Sequence, residues 1–183
     1  MLRLILLLFL FTLPQHNVMA QSSSYPEQWD SDLTKVLQNN HLEKVGSSIF
    51  TFLFWDLYES QLFTTSGHYP VQAPDEKLLY EINYFKAISA KDLVEKSVEQ
   101  WQHLQVPASR YEPYLAKLER IWPDIQPGDK LTMVMSQQNS AFYYNQRLVG
   151  VIGSDIFGPL FLDIWLSENT SEPDLRASLL GRN

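Results

Sequence analysis

The stretch from Gly128 to Gly181 constrains this chain more than any other. It opens with Pro127-Gly128-Asp129 and a strand-like run, Lys130-Leu-Thr-Met-Val-Met135. Ala141-Phe-Tyr-Tyr144 and Arg147-Leu-Val-Gly-Val-Ile152 then read as a hairpin joined across Asn145-Gln146. An almost wholly apolar helix follows over Asp155–Leu166. The chain closes on a short amphipathic helix, Glu172 to Gly181, with Pro173 in its first turn and glycine at its end.

Upstream, Trp29, Leu33, Val36 and Leu37 recur at helical spacing, which predicts a helix over Glu27–Gln38. Ile49–Thr64 is the longest β-like run, rich in Phe and β-branched residues. Its length exceeds an ordinary strand, so a bulge or bend is expected near Asp56–Glu59. Thr65-Ser-Gly67 turns the chain, and a second strand is expected over Lys77–Lys86. Ser89-Ala-Lys-Asp92 has the form of a capping box and starts one helix; Ser109-Arg-Tyr-Glu112 repeats that form and starts another, ended by Pro123. Strands, two helices, strands and two helices, with short loops, describe an α+β fold: an antiparallel β-sheet with helices packed on one face.

The first twenty residues are read apart from the domain. Arg3, the apolar run Leu4–Leu13 and the small-residue site Val18-Met-Ala20 form a secretory signal peptide, cleaved before Gln21. The apolar run is too short for a stable membrane span, which needs roughly 20 residues. Residues 21–183 then form one exported domain, with the periplasm as the expected compartment. The formal charge of −7 argues against nucleic acid, whose binding depends on Lys and Arg neutralising phosphates. With no cysteine, disulfides, thiolate metal sites and cysteine nucleophiles are excluded.

Other site chemistries find little support. His41, His68 and His103 have no metal-ligand spacing, no serine sits in a G-x-S-x-G elbow, and Gly150-Val-Ile-Gly153 lacks the setting of a dinucleotide fingerprint. No metal and no cofactor is expected. Asp56, among Phe52, Phe54 and Tyr58 in the long run, is a candidate acid or base if buried, and a solvent-facing carboxylate if a bulge turns it outward. Asp163, in the apolar helix, carries the same two readings. The aromatic residues of Phe50–Tyr58 and Phe157–Trp165 are core formers that leave room for a mostly apolar cleft.

The order of elements from Gly128 to Gly181, with weaker matching back to about Val45, resembles the chalcone isomerase-like family, especially its bacterial exported branch. The resemblance implies the family's open-faced sandwich and its ligand cleft. In the enzymatic members, an arginine, two threonines, a tyrosine and an asparagine surround the substrate and stabilise a developing oxyanion. No arginine occurs here between Arg3 and Arg110. The strand threonine falls at Leu53, with Thr51 two residues away. The helix tyrosine and asparagine fall near Leu93 and Gln100, and the last threonine at Ile164. Three donors are aliphatic and the guanidinium is missing, so chalcone cyclisation is not expected. The fatty-acid-binding branch holds its carboxylate with an arginine and a tyrosine, and the missing arginine weakens that clamp too.

Two function classes follow. One is an exported, non-enzymatic protein whose cleft, lined by Thr51, Leu53, Trp55, Leu93, Gln100 and Ile164, binds an apolar or fatty-acid-like molecule. The other is an isomerase or intramolecular lyase using other residues, with Asp56, Tyr84 and Lys86 as candidates. A structural or protein-binding domain, its cleft filled by its own side chains, is the third reading.

Overall fold

A computed structural model describes residues 29–73, 75–136 and 138–182. The signal-peptide reading of residues 1–20 lies outside the described residues. Six strands form one antiparallel meander in chain order: β1 (Glu43–Phe52), β2 (Trp55–Thr64), β3 (Leu78–Tyr84), β4 (Lys130–Met135), β5 (Asn139–Tyr144) and β6 (Arg147–Gly153). Helices α2 (Ala90–His103) and α3 (Ala108–Ile121) join β3 to β4, while α4 (Phe157–Leu166) and α5 (Pro173–Leu179) follow β6. Ahead of the sheet lies α1 (Leu33–Asn39).

Strand alternation divides the apolar residues between two faces. Leu78, Tyr80, Ile82 and Tyr84 of β3 join Leu131, Met133 and Phe142 against α2–α5, and this is the main core. Leu79, Val134, Ala141, Tyr143 and Val151 point the other way, where Trp29, Leu33 and Val36 cover them. The α+β sheet with helices on one face is therefore present, and α1 adds a small second layer on the opposite face. Tyr143 donates to the Asp30 carbonyl (2.9 Å) and Leu33 N–H to the Gln146 carbonyl (2.8 Å), which fastens that layer to the β5–β6 hairpin.

Several expected boundaries are corrected by local chemistry. The long run Ile49–Thr64 is not one strand: a two-residue turn, Leu53-Phe54, separates β1 from β2, and Phe52 pairs with Trp55. The register also shifts between Phe50 and Thr51, leaving Leu57 bulged inside the Asp56–Glu59 segment where a bulge was expected. The first helix starts at Leu33 rather than Glu27, because the Asp32 carboxylate accepts the Thr34 N–H (2.8 Å) and caps it there. Ser89 does cap α2, accepting Asp92 N–H at 3.1 Å and donating to its carboxylate at 2.7 Å. Ser109 caps nothing; α3 begins at Ala108 after Pro107, with Ser109 inside its first turn.

Glycine permits two close approaches that shape the main core. A Cβ on Gly158 would sit 2.5 Å from the Met135 sulfur, so its absence lets the start of α4 lie on the sheet. A Cβ on Gly46 would meet the Ser178 and Leu179 carbonyl oxygens, so α5 rests directly on β1. Around α4, Phe142, Phe157, Phe161 and Trp122 pack with ring centroids 5.5–6.0 Å apart. Such edge-to-face and offset pairs add about 0.5–1.5 kcal/mol each beyond buried area.

Candidate functional site: a phenol-lined interior between the sheet and helix α4

Three tyrosines from adjacent strands meet α4 on the main core face. Tyr58 lies opposite Tyr84 in the β2–β3 ladder, and Tyr80 lies four residues before Tyr84 on the same face of β3. Trp165 on α4 reaches two of them: its ring centroid is 4.7 Å from that of Tyr80, and its indole N–H donates to the Tyr58 oxygen at 3.0 Å, while the Tyr84 ring packs on Tyr58 at 6.0 Å. Phe50 stacks on the outer side of Tyr58 at 5.2 Å. The result is an aromatic wall with phenol groups set into it.

Burial is the main electrostatic influence here. It pushes the Tyr58 phenol up to about 12; the Trp165 hydrogen bond opposes this and the charge of Glu172 adds to it. Burial also raises Tyr80 well above its ordinary value, and Tyr84 likewise, each reinforced by Tyr58. All three are neutral phenols at physiological pH. Tyr80 is 1% exposed and its hydroxyl has no hydrogen-bond partner. Ser60, near enough to temper the rise in Tyr80, has its hydroxyl directed at the Ser48 carbonyl (3.3 Å). A buried, unpaired hydroxyl costs about 1–3 kcal/mol; among the described residues Trp29 Nε1, Trp122 Nε1 and Ser140 Oγ are buried without a partner as well.

The residues singled out from sequence fall into two groups. Leu93 on α2 and Ile164 on α4 are buried in the same main core as Tyr58, Tyr80 and Trp165. Gln100 is joined to them at the rim: it accepts from the Ser171 hydroxyl (2.9 Å), beside Thr170, whose hydroxyl donates to the Ile164 carbonyl (2.8 Å). Thr51, Leu53 and Trp55 sit elsewhere, at the solvent-exposed tip of the β1–β2 hairpin. Leu53 occupies the turn itself, because the run assumed to be one strand reverses there.

The residues of the isomerase reading do not meet. Asp56 is exposed and accepts from the Thr51 hydroxyl at 2.6 Å, so it is not a carboxylate buried among aromatics. Lys86 is exposed, its ammonium 4.7 Å from the Trp55 ring centroid. Tyr84 alone is interior. Asp163 is half-buried; burial raises its pKa and the charge of Arg110 lowers it. Among the described residues no cluster of three or more His, Asp or Glu is arranged to hold a metal ion, and no helix is long and apolar enough to cross a membrane.

Sequence reasoning missed the pairing of Tyr58 and Tyr80 with Trp165. The usable signal was strand parity: Tyr58, Ser60 and Leu62 alternate inward, as do Leu78, Tyr80, Ile82 and Tyr84. On the other face, an open groove of about 600 Å³ runs beneath α1, floored by Leu79 and Phe63 and edged by the Lys130–Glu81 ion pair (2.7 Å).

A six-stranded antiparallel sheet, backed on one face by helices over an apolar, phenol-studded interior, defines an open-faced α+β sandwich. The chain belongs to the chalcone isomerase-like family, whose family model matches residues 27–181. A Haemophilus influenzae protein described as uncharacterized is 23% identical over 142 residues, covering 78% of this chain and 69% of its own. Among solved structures, the fatty-acid binding protein of Arabidopsis thaliana shares the fold with a TM-score of 0.54 at 10% identity, over 76% of this chain and 84% of that one.

Proposed function

We propose that this protein is an exported, non-enzymatic binder of an apolar, lipid-like molecule of the fatty-acid class, taken up between the β1–β3 side of the sheet and helices α2 and α4. The carrying observation is the Tyr80 hydroxyl, buried without a partner beside the Trp165–Tyr58 hydrogen bond. A neutral phenol is a donor suited to the carboxyl or carbonyl end of such a ligand, and the Tyr58 proton is a second donor a ring away. Leu93, Ile164 and Trp165 supply apolar walls for the hydrocarbon. Because Trp165 packs on Tyr80, binding requires that ring to swing aside.

Family membership and the fatty-acid binding protein with the same fold support this reading. The dispersal of Asp56 and Lys86 away from Tyr84 weighs against the isomerase alternative. Export rests on the Arg3, Leu4–Leu13 and Val18-Met-Ala20 pattern. The test is displacement of a fluorescent fatty-acid analogue by unlabelled long-chain fatty acids, phenolics and short-chain acids. Saturable binding displaced by the long chains alone is the expected result. Equal displacement by short-chain acids, or no saturable binding, contradicts it.

A further inference from the structure

Folding chemistry does not account for the tip of the β1–β2 hairpin. Two-residue hairpin turns select Gly, Asn or Asp, since one or both turn positions need positive φ. The β5–β6 turn meets this demand partly, with Asn145 at φ 44° and Gln146 at 76°. The β1–β2 turn instead places Leu53 at φ 57°, where a leucine costs roughly 1–2 kcal/mol. Its side chains recover little of that by packing. Phe52 is 59% exposed, Leu53 74%, Phe54 93% and Trp55 62%. Unsatisfied backbone strain together with unburied aromatic surface is a motive to look for a role outside the fold.

We propose that this tip is a membrane-interface element, which inserts Phe52, Leu53, Phe54 and Trp55 into the headgroup–acyl boundary of a zwitterionic phospholipid bilayer. Shape is the first argument. Successive strand residues point to opposite faces, and all four are exposed, so the apolar surface wraps around a convex tip. A protein groove covers one face of a hairpin, whereas fluid lipid conforms to both. Chemistry is the second argument: Phe and Leu partition into acyl chains, and Trp prefers the interface. Third, Lys86 stands at the root of the tip with its ammonium 4.7 Å from the Trp55 ring, at the level of lipid phosphates when the tip is inserted. The formal net charge of −7 repels a strongly anionic surface, which favours zwitterionic lipid. None of this depends on whether the interior binds a ligand.

The absence of cysteine makes the test specific. Leu53→Cys, and separately Glu119→Cys at an exposed position of α3, each give the full-length chain one thiol for an environment-sensitive fluorophore. With phosphatidylcholine–phosphatidylethanolamine vesicles, the label at 53 should show a several-fold, blue-shifted rise in emission, and the label at 119 none. Attachment through any other segment leaves the label at 53 in water. Adding Phe54→Asp to Leu53→Cys should abolish the rise, since a carboxylate is expelled from the acyl boundary. Phe54 is so exposed that this change leaves the fold intact, which circular dichroism verifies. The proposal is overturned by no rise at 53, by a rise that Phe54→Asp leaves unchanged, or by one confined to phosphatidylglycerol vesicles. It is overturned equally by a rise without vesicles that grows with protein concentration, which would assign the tip to a second copy of the chain.

Discussion

The indole N–H of Trp165 donates to the phenol oxygen of Tyr58 at 3.0 Å, joining helix α4 to strand β2 across the interior of the main core. The bond orients Trp165 over Tyr80, and Tyr80 is the phenol left without a partner. The Trp165 ring thus packs against the ring of a tyrosine whose hydroxyl the fold itself does not satisfy.

Alkaline pH should unfold the protein earlier than its composition suggests. Tyr58 ionises near 12 in the folded protein against 10.0 in the open chain, and Tyr80 and Tyr84 are raised as well. A raised folded-state pKa contributes stability that is complete below pH 10 and is lost as pH climbs through the folded value. Each such phenol should therefore steepen the decline by about 1.4 kcal/mol per pH unit between pH 10 and 12. Urea denaturation at stepped pH measures this, and Tyr58→Phe should flatten the slope by one phenol's share.

Gly46→Ala should destabilise the fold by about 1–3 kcal/mol, the usual cost of overpacking, because the new Cβ meets carbonyl oxygens of α5 rather than a flexible side chain. Thermal unfolding compared with wild type provides the measurement. Gly128→Ala is the contrasting case: its φ of 92° strains the backbone while its Cβ meets nothing within 4 Å.

Hydroxychalcone should cyclise no faster with this protein than in buffer. Losing a single oxyanion donor commonly costs about 10²–10³ in rate; Leu93 and Ile164 in the core are aliphatic, Leu53 lies out at the hairpin turn, and no arginine occurs between Arg3 and Arg110. Loss of substrate absorbance at neutral pH is the readout. Turnover sensitive to Tyr84→Phe would instead favour the isomerase reading.

Export predicts a mature N-terminus at Gln21. Sequencing the protein from its native host should begin there, and an intact Met1 in the cytoplasm would contradict it.

What was legible in the sequence was mostly local. Ser89 and Asp92 sit three apart and cap α2 as their spacing requires, and the β5–β6 turn falls on Asn145-Gln146. The β1–β2 turn was hidden because Leu53-Phe54 carries no turn chemistry, so a hairpin read as one long strand. Ser109-Arg-Tyr-Glu112 misled in the opposite sense, since Pro107 starts the helix before the hydroxyl can cap it. Of the residues expected to line one cleft, Leu93 on α2 and Ile164 on α4 lie in the main core, whereas Thr51, Leu53 and Trp55 followed the unseen turn out to solvent. The Trp165–Tyr58 bond spans 107 positions, and no spacing rule reports such a contact.

Paired thermal unfolding of wild type and Tyr80→Phe, with and without a long-chain fatty acid, tests the central claim most directly. In buffer the variant should be as stable as wild type or slightly more so, because it removes a buried hydroxyl that has no partner. With fatty acid at a hundredfold excess over its dissociation constant, wild type should gain about 2.7 kcal/mol and the variant distinctly less. An equal gain in both proteins would contradict the account, and would direct attention to the groove beneath α1.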